Sequence, residues 1–252
     1  MLDFAVADNR LARNPAVGVR LPRLGKTEQR YLTHGQVAEL ADACGGYKAL
    51  ILTLAYCGLR WGEVAGLRVR RVDLLRGRLI VAETMVEVHG KAVFGPPKTH
   101  QERSVPVPRF LRELLASEVV GKGPDDLVFT SPRAGVLRVG NFRRGCWDRA
   151  CVAVGLGKLV EAEDTERPRY VGLHPHELRH TAASLAIAAG ASIKSVQRML
   201  GHASAAMTLD RYGHLFDDEL DGVADRLDTA ARVSQPCHGD GVVELRPGAA
   251  TA

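Results

Sequence analysis

The chain has 252 residues with 46% hydrophobic and 25% charged side chains, a formal net charge of +5 at pH 7 and a pI of about 9.1. This length and composition allow one large or two small domains with a real core, and the mild basicity is compatible with a nucleic-acid partner without being specific for one. No apolar run approaches the roughly 18 residues of a transmembrane helix, the N-terminus has no signal-peptide pattern, and the five cysteines form no CxxC pair. We therefore expect a soluble cytoplasmic protein with reduced cysteines.

Residues 1–30 predict a short helical stretch followed by a basic linker. The apolar residues are loosely helical up to Leu11, and Asn14-Pro15 interrupts that pattern. Residues 17–26 then read as an extended segment that carries three basic side chains. The main folded part of the chain is therefore expected to begin after this linker.

Two predicted helices follow, and the second ends beside an arginine. Thr33 is a good N-cap for the first helix, and residues 47–57 are a strongly apolar helix closed by Gly58. Arg60 comes directly after this end, with Glu63 three residues further on. A charged arginine so close to an apolar helix needs a partner or a ligand, although this segment alone would also fit a surface arginine at a helix C-terminus.

Residues 69–107 change to the period of β-structure. Residues 79–88 are rich in β-branched side chains, Val93-Phe94 follows a predicted turn, and residues 103–107 alternate between apolar and polar positions. These segments predict a small three-stranded antiparallel sheet. Lys98 lies between the last two strands, and by itself a lysine in a turn is most often a solvated side chain.

A helix is predicted from Pro108 to about residue 120, a short strand over residues 127–129, and a further helix over residues 141–155. Four arginines on or beside this last helix are candidates for a stripe that contacts the DNA backbone, although an ordinary solvated face explains them equally well. Residues 158–169 are charged and acid-rich without a pattern, so we expect a loop there. The four arginines are Arg138, Arg143, Arg144 and Arg149.

Three short helices are predicted near the C-terminus, separated by tight turns. Pro175 suits the first turn of a helix that Gly190 ends in a left-handed conformation. Ser192 caps a second helix, which Gly201 stops, and Ser204 caps a third. After these, residues 217–233 predict a last amphipathic helix, and the Pro/Gly-rich residues 234–252 predict a disordered tail.

Four side chains of the three short helices have the chemistry needed to attack a phosphodiester. His176 and Arg179 are three residues apart and so share a helix face, while His202 lies in the turn after the second helix and Tyr212 lies on the third. An arginine offers planar bidentate donors to phosphate oxygens, and a histidine donates hydrogen bonds or moves protons. A phenol can act as the nucleophile where surrounding positive charge offsets its high pKa.

These residues resemble the signature of the tyrosine recombinase (phage integrase) family. The family's His-x-x-Arg pair, Leu-Gly-His turn and tyrosine match His176-Glu177-Leu178-Arg179, Leu200-Gly201-His202 and Tyr212. Upstream, a Gly-Leu-Arg-x-x-Glu segment matches the family's first catalytic arginine to Arg60, with the glutamate supporting it. A Pro-Lys-Thr turn before an Arg-x-Val-Pro strand matches the family's catalytic lysine to Lys98. The resemblance covers roughly residues 33–233, and its six sites occur in the family's order.

The resemblance implies an α+β fold that is mainly α, with a small three-stranded antiparallel sheet. It divides the chain into a remnant of a core-binding domain with its basic linker (residues 1–30), a catalytic domain (residues 31–233) and the tail. Most of the helical core-binding domain that precedes the catalytic domain in this family is expected to be missing here. The family acts as tetramers on double-stranded DNA, often with a C-terminal segment docked on a neighbour.

The implied reaction is site-specific DNA recombination by transesterification. Tyr212 attacks the scissile phosphate and forms a 3′-phosphotyrosyl link with a free 5′-hydroxyl, while Arg60 and Arg179 hold the nonbridging oxygens. Lys98, or less favourably Lys91, is the general acid toward the 5′ oxygen. By the same resemblance, His176 accepts the proton of Tyr212 and His202 is a further phosphate donor, with no metal or other cofactor required.

Two alternatives remain open from the sequence. The chain would be a DNA-binding remnant without recombinase activity if the shortened N-terminus prevents strand exchange. The pentapeptide from His176 to His180 also matches the HExxH pattern of zinc proteases, in which two histidines bind zinc and the glutamate is the general base. The protease interpretation leaves Arg60, Lys98, His202 and Tyr212 unexplained. We therefore favour the recombinase and interpret His180 as a structural histidine.

Overall fold

The computed structural model describes residues 2–19, 30–97, 102–162, 165–216, 225, 227–229 and 231–232. The helices are α1 (Leu2–Ala7), α2 (His34–Ala43), α3 (Lys48–Cys57), α4 (Trp61–Ala65), α5 (Arg109–Val119), α6 (Val139–Phe142), α7 (Asp148–Ala153), α8 (Glu177–Ala188), α9 (Ile193–Leu200) and α10 (Ala205–Tyr212). The strands are β1 (Val72–Asp73), β2 (Arg78–Val81), β3 (Thr84–Val88), β4 (Lys91–Gly95), β5 (Arg103–Pro106), β6 (Gly157–Ala162) and β7 (Thr165–Gly172). Among the described residues no helix is long and apolar enough to cross a bilayer.

Helix α3 forms the centre of the hydrophobic core. It is apolar all round and every residue from Ala49 to Ala55 is buried, as expected for a helix that is surrounded by other elements. Its polar Thr53 donates its hydroxyl to the carbonyl of Ala49 at 2.7 Å, so burial leaves this group satisfied. Helices α2, α5 and α8 pack around α3. His176 lies at the N-cap of α8, and Arg179 and His180 lie in its first turn.

The predicted helix boundaries are confirmed where a local cap sets them. Thr33 and Gln36 form a reciprocal capping box at the start of α2. Ser192 and Ser204 accept backbone N–H groups at the starts of α9 and α10. Glycines with positive φ follow the predicted ends, at Gly58, Gly190 and Gly201. Because both caps of α9 and the first cap of α10 are local, the turns between the three short helices follow directly from the sequence.

The predicted β-segments form, but the prediction of one sheet that joins them is wrong. Strands β1, β2 and β5 make the three-stranded antiparallel sheet, while β3 and β4 form a separate hairpin. A Cβ atom on Gly62 of α4 would lie only 2.5 Å from the carbonyl oxygen of Met85 in β3. Strand β3 therefore leaves the sheet because it packs directly against the backbone of α4, an approach that only a glycine permits.

The prediction of a loop over residues 158–169 is also wrong. Strands β6 and β7 pair there as an antiparallel hairpin, with Leu159 opposite Tyr170 and an irregularity between Val160 and Ala162. The sequence hides this hairpin because apolar and charged residues are exposed alike along β6, from Lys158 to Glu161, so the apolar alternation of a half-buried strand is absent. The short strand predicted over residues 127–129 is reduced to one isolated bridge, between Leu127 and Arg68.

The helix predicted over residues 141–155 exists as α6, a π-helical segment over Arg143–Trp147, and α7. Trp147 is fully buried, and its indole N–H donates to the carbonyl of Leu173 at 2.8 Å. The hydroxyl of Tyr170 donates to the same carbonyl at 2.8 Å. These two bonds fix the chain just before α8 and so position the His-x-x-Arg segment.

Several predictions concern residues outside the described ranges. They are the basic linker beyond residue 19, the turn that contains Lys98, and the tail over residues 234–252. Of the helix predicted over residues 217–233, the structure describes residues 225, 227–229 and 231–232, and all of these are helical.

Candidate active site

Arg179 lies at the meeting point of two helix ends. Only 4% of it is exposed, and its guanidinium donates one hydrogen bond to the carbonyl of Gly58 after α3 and another to the carbonyl of Leu200 at the end of α9. Terminal helix carbonyls lack an intrahelical donor and carry partial negative charge, so they suit a buried cation. Burial, followed by the nearby charge of Arg60, lowers the pKa of Arg179 to about 9, which still leaves it charged at pH 7.

Glu63 binds both Arg60 and Arg103. Its carboxylate accepts the guanidinium and the backbone N–H of Arg60, each at 2.8 Å, and two hydrogen bonds from Arg103 at 2.9 and 2.5 Å. Burial alone would raise the pKa of this carboxyl, which is 2% exposed. The hydrogen bonds and charge of Arg103, joined by Arg60, outweigh burial and lower the pKa to about 2.

Arg103 is a site residue that the sequence motifs do not identify as such. It starts β5, and besides Glu63 its Nε donates to the carbonyl of Met199 in α9 at 3.0 Å. A Cβ atom on Gly201 would lie 2.9 Å from Arg103 Cδ, so the arginine lies directly under the turn that leads to His202. The Arg-x-Val-Pro segment could have indicated this role, because its charged first residue begins a strand in which Val105 is buried.

His202 and Tyr212 lie side by side. Their rings are stacked with centroids 6.4 Å apart and planes inclined by 6°. His202 Nδ1 shares a 2.9 Å hydrogen bond with the hydroxyl of Thr208, and the side-chain amide of Gln197 donates to the His202 carbonyl at 3.1 Å. Burial, and then the charges of arginines including Arg179, lower the pKa of His202 to about 4, so its ring is neutral at pH 7.

Tyr212 is the last residue of α10 and is buried, with 1% of its surface exposed. Its hydroxyl and Nδ1 of His180 share a hydrogen bond of 2.8 Å. Burial raises the pKa of Tyr212 to about 12, although the charges of Arg179 and Arg211 act in the opposite direction. The phenol is therefore protonated at pH 7 in the free chain.

His176 occupies the N-cap position of α8, one helical turn before His180. The two imidazoles meet edge to face with centroids 5.8 Å apart. Burial and then Arg179 lower the pKa of His176, so this ring is also neutral at pH 7. By the family resemblance His176 is predicted to accept the proton of Tyr212, and His180 is predicted to be a structural residue. In the described structure the Tyr212 hydroxyl forms its hydrogen bond with His180.

The site carries a surplus of positive charge. Four arginines and two carboxylates carry the charges that act within the site. The histidines add no charge, because their rings are neutral. Uncompensated buried or half-buried cations favour the binding of an anion. The four arginines are Arg60, Arg103, Arg179 and Arg211, and the carboxylates are Glu63 and Glu177.

The candidate DNA stripe has partners within the chain. Arg138 pairs with Glu87 at 2.9 Å, and Arg143 lies 3.4 Å from Asp148 and packs over the ring of Tyr170. Two others make uncharged contacts: Arg144 donates to the Asn141 side chain and Arg149 to the Gly145 carbonyl. Arg144 and Arg149 are exposed, so they are the members of the stripe whose charge is most available to a partner.

A model of the phage integrase family matches residues 30–219, which is well over half of the chain. The chain belongs to the phage integrase family. The tyrosine recombinase XerC of Pelobacter propionicus is 30% identical over 240 residues, covering 90% of this chain and 68% of the relative. The tyrosine recombinase XerD of Pseudomonas aeruginosa is 29% identical over 220 residues, covering 81% of this chain and 64% of the relative. The chain thus spans about two thirds of the length of these relatives.

Solved structures confirm the predicted fold class, mainly helical α+β with small antiparallel sheets. The integrase of transposon Tn1549, solved with a circular intermediate DNA, aligns with a TM-score of 0.68 at 19% identity and covers 89% of this chain and 74% of that one. The catalytic domain of bacteriophage HP1 integrase aligns at 0.52 with 19% identity, covering 82% of this chain and 100% of that domain. The resemblance found in the motifs is confirmed, and no comparison favours a zinc protease.

Proposed function

We propose that this chain is a tyrosine-type site-specific recombinase that cuts and rejoins double-stranded DNA through a 3′-phosphotyrosyl intermediate. The observation that carries the proposal is the position of Tyr212. Its ring stacks on His202, its hydroxyl is bound by a histidine, and the charge of the buried Arg179 acts on it. A phenol among neutral imidazoles and surplus arginines has the groups required for phosphoryl transfer.

In the proposed reaction the arginines hold the phosphate and the tyrosine attacks it. Arg60 and Arg179 bind the nonbridging oxygens and stabilise the charge that develops on them, because guanidinium donors match phosphate geometry. The Tyr212 oxygen bonds to phosphorus, the bond from phosphorus to the 5′ oxygen breaks, and Lys98 supplies the proton to that leaving oxygen. His202 donates a further hydrogen bond. The phosphotyrosine retains the energy of the phosphodiester, so the reverse attack by a 5′-hydroxyl rejoins DNA without a nucleotide cofactor.

The arrangement also explains why the free chain would be inert. Glu63 holds Arg60 in place through two hydrogen bonds, and the carbonyl groups at two helix ends hold Arg179 in place. Such preorganised donors need little rearrangement when a phosphate arrives. The phenol remains protonated until then, since its pKa is about 12 in this site.

For the partners we propose double-stranded DNA and further copies of this chain. Solved structures of the same fold include an integrase in complex with a circular intermediate DNA and a XerH site-specific recombinase bound to a palindromic substrate. Exchange of strands between two duplexes needs four cleavages, which supports a tetramer. We propose the cytoplasm as the place where it acts.

The test is covalent trapping on DNA. The protein is incubated with a pool of duplexes that have randomised sequences and one nick, so that the short strand with its 5′-hydroxyl diffuses away after cleavage and the adduct accumulates. Adducts that survive denaturation are recovered and sequenced, which also identifies the target. We expect Tyr212→Phe to abolish the adduct, because it removes the nucleophilic oxygen and keeps the ring.

Tyr56→Phe is the matched control. The Tyr56 hydroxyl also shares a hydrogen bond with a histidine Nδ1, that of His34, at 2.7 Å, but this pair is separate from the site. We expect this variant to form the adduct like the wild type. An adduct that persists in Tyr212→Phe would show that the nucleophile is misassigned, and binding without any adduct would support the DNA-binding remnant instead.

A further inference from the structure

Arg103 connects two parts of the candidate active site while its own side chain is shielded from solvent. Only 9% of that side chain is exposed, whereas 32% of the Arg60 side chain is exposed. Two guanidinium nitrogens of Arg103 donate to the Glu63 carboxylate at 2.9 and 2.5 Å, and its Nε donates to the Met199 carbonyl of α9 at 3.0 Å. A phosphate can therefore reach Arg60, while Arg103 has to act through the groups that it binds.

The surroundings of Arg103 hold its side chain in one orientation. Besides the carbonyl on α9, the glycine that ends this helix packs against it, since a Cβ atom on Gly201 would lie 2.9 Å from Cδ of Arg103 and 3.1 Å from its Nε. The backbone of Arg103 is paired with Val81 of β2 in the three-stranded sheet. A strand and a helix end together thus direct the guanidinium toward Glu63, in the bidentate geometry that an arginine and a carboxylate favour.

Glu63 is shared between Arg103 and Arg60. Each of its carboxylate oxygens accepts one hydrogen bond from Arg103 and one from Arg60, from the guanidinium of Arg60 at Oε1 and from its backbone N–H at Oε2. Two guanidinium groups and one carboxylate leave one net positive charge among the three residues. Without Arg103, the charges of Glu63 and Arg60 would cancel, and this pair would attract a phosphate only weakly.

Building on the proposed recombinase function, we infer that Arg103 is a positioning residue that balances the charge of Glu63, so that Arg60 meets the scissile phosphate as an uncompensated cation. Glu63 can then hold the Arg60 side chain in place without cancelling its charge. Arg60 needs both its orientation and its charge, because it stabilises the negative charge that grows on the nonbridging oxygens during attack. Arg103 needs no contact with the DNA for this role.

The discriminating experiment compares two substrates. One is the duplex recovered from the randomised pool, and the other carries a methylphosphonate at the scissile position, in which a methyl group replaces one nonbridging oxygen and removes the negative charge. Cleavage is measured as single-turnover release of the short strand with the 5′-hydroxyl, relative to the wild type on the same substrate. We expect Arg103→Met to cleave the phosphate about 10²-fold more slowly and the methylphosphonate with a much smaller deficit, because a neutral substrate makes little use of the charge of Arg60.

Two further variants separate the effect of charge from that of folding. Arg103→Lys keeps the charge and a donor for Glu63, so we expect it to retain most of the activity on the phosphate that Arg103→Met loses. Arg68→Met is the matched control, because Arg68 also binds a glutamate, Glu83 at 2.8 Å, and a backbone carbonyl, that of Asp125 at 2.6 Å. Loss of these contacts weakens the fold in a similar way, but we expect the ratio of the rates on the two substrates to stay that of the wild type.

A double variant covers the case in which Arg103→Met does not fold. In Glu63→Gln the charge that Arg103 balances is absent, so adding Arg103→Met should slow cleavage of the phosphate by far less than the roughly 10²-fold expected in the wild-type background. A further loss of that full size would overturn the inference, as would equal deficits of Arg103→Met on the two substrates. If the wild type forms no adduct with any duplex, the proposed function itself fails; if it cleaves DNA and either of these two results is found, only the role of Arg103 fails.

Discussion

At the scale of single residues, Glu63 shows how one carboxylate can hold two arginines in place. Arg103 and Arg60 both donate to it, and Arg103 also reaches the Met199 carbonyl on α9. Removing one member of a buried ion pair leaves an uncompensated charge, which costs far more than an exposed pair contributes. The stability of the site should therefore depend on Glu63 and on its ionisation.

Glu63→Gln should destabilise the protein at neutral pH, with a deficit that shrinks in acid. The pKa of Glu63 falls from 4.5 to about 2 on folding, which corresponds to about 3 kcal/mol at roughly 1.4 kcal/mol for each pKa unit. Because the folded pKa is depressed, this stability is present above pH of about 4.5 and is lost as the pH falls toward about 2. Urea unfolding at pH 7 and pH 3 measures the gap between wild type and variant.

The control for this experiment is Glu118→Gln. Burial raises the pKa of Glu118, with Lys122 acting in the opposite direction, so its ionised form does not stabilise the fold as that of Glu63 does. The gap between wild type and Glu118→Gln should therefore not close in acid. A gap for Glu63→Gln that stays constant from pH 7 to pH 3 would contradict the ion-pair account.

At the scale of elements, the site is built on the ends of helices. Arg179 of α8 joins the ends of α3 and α9, and the glycines that close these two helices have left-handed backbones with φ of 64° at Gly58 and 66° at Gly201. The two ends are also packed tightly. A Cβ atom on Gly58 would lie 2.7 Å from Leu200 Cδ2 and 3.2 Å from the Cβ of Ala182.

Gly58→Ala should thus disturb the site as well as the fold. The change adds the strain of a non-glycine residue at positive φ, about 1 kcal/mol, and a steric clash that typically costs a further 1–3 kcal/mol. Gly121→Ala is matched to it, because Gly121 has φ of 75° but nothing within 4 Å of the added carbon. Thermal unfolding should show a small loss for Gly121→Ala and a clearly larger loss for Gly58→Ala, together with slower adduct formation. Equal losses would mean that helix packing tolerates the methyl group.

At the scale of the whole molecule, charge determines how the chain would hold DNA. Its net charge of +5 is modest, and Arg138 and Arg143 have acidic partners in the fold. Few phosphates are therefore neutralised, so DNA binding should be weak and poorly specific. It should still be salt-sensitive, because each phosphate contact that does form releases counterions.

Arg144 provides the test of the candidate stripe. If its exposed guanidinium contacts a phosphate, Arg144→Gln should weaken binding uniformly across sequences and reduce the slope of log affinity against log salt by about 0.9. Arg76→Gln, in the exposed turn between β1 and β2, is the reference for a general loss of one positive charge. Fluorescence anisotropy with the recovered duplex at several salt concentrations gives both slopes, and identical slopes for the two variants would identify the stripe as an ordinary solvated face.

The sequence by itself determined the local features of this protein. Serine and threonine caps, glycines at positive φ and the apolar run of α3 act within a few residues, so their spacing predicts the helices and turns that the structure contains. The spacing of the histidines, arginines and tyrosine was sufficient to identify the family, because such motifs combine local geometry with a fixed chemistry. The candidate residues Arg60, Arg179, His202 and Tyr212 all lie in the site for this reason.

The tertiary structure alone decided which of these groups touch. His176 and His180 lie one turn apart on the same helix, so helical spacing cannot tell which of them reaches Tyr212; the packing of α10 against that region places Nδ1 of His180 at the hydroxyl. Arg103 reaches Glu63 across 40 residues of sequence, and β3 leaves the predicted sheet because it packs on α4. Contacts between distant segments depend on how whole elements fill space around the core, and this information is spread over many side chains rather than carried by a motif.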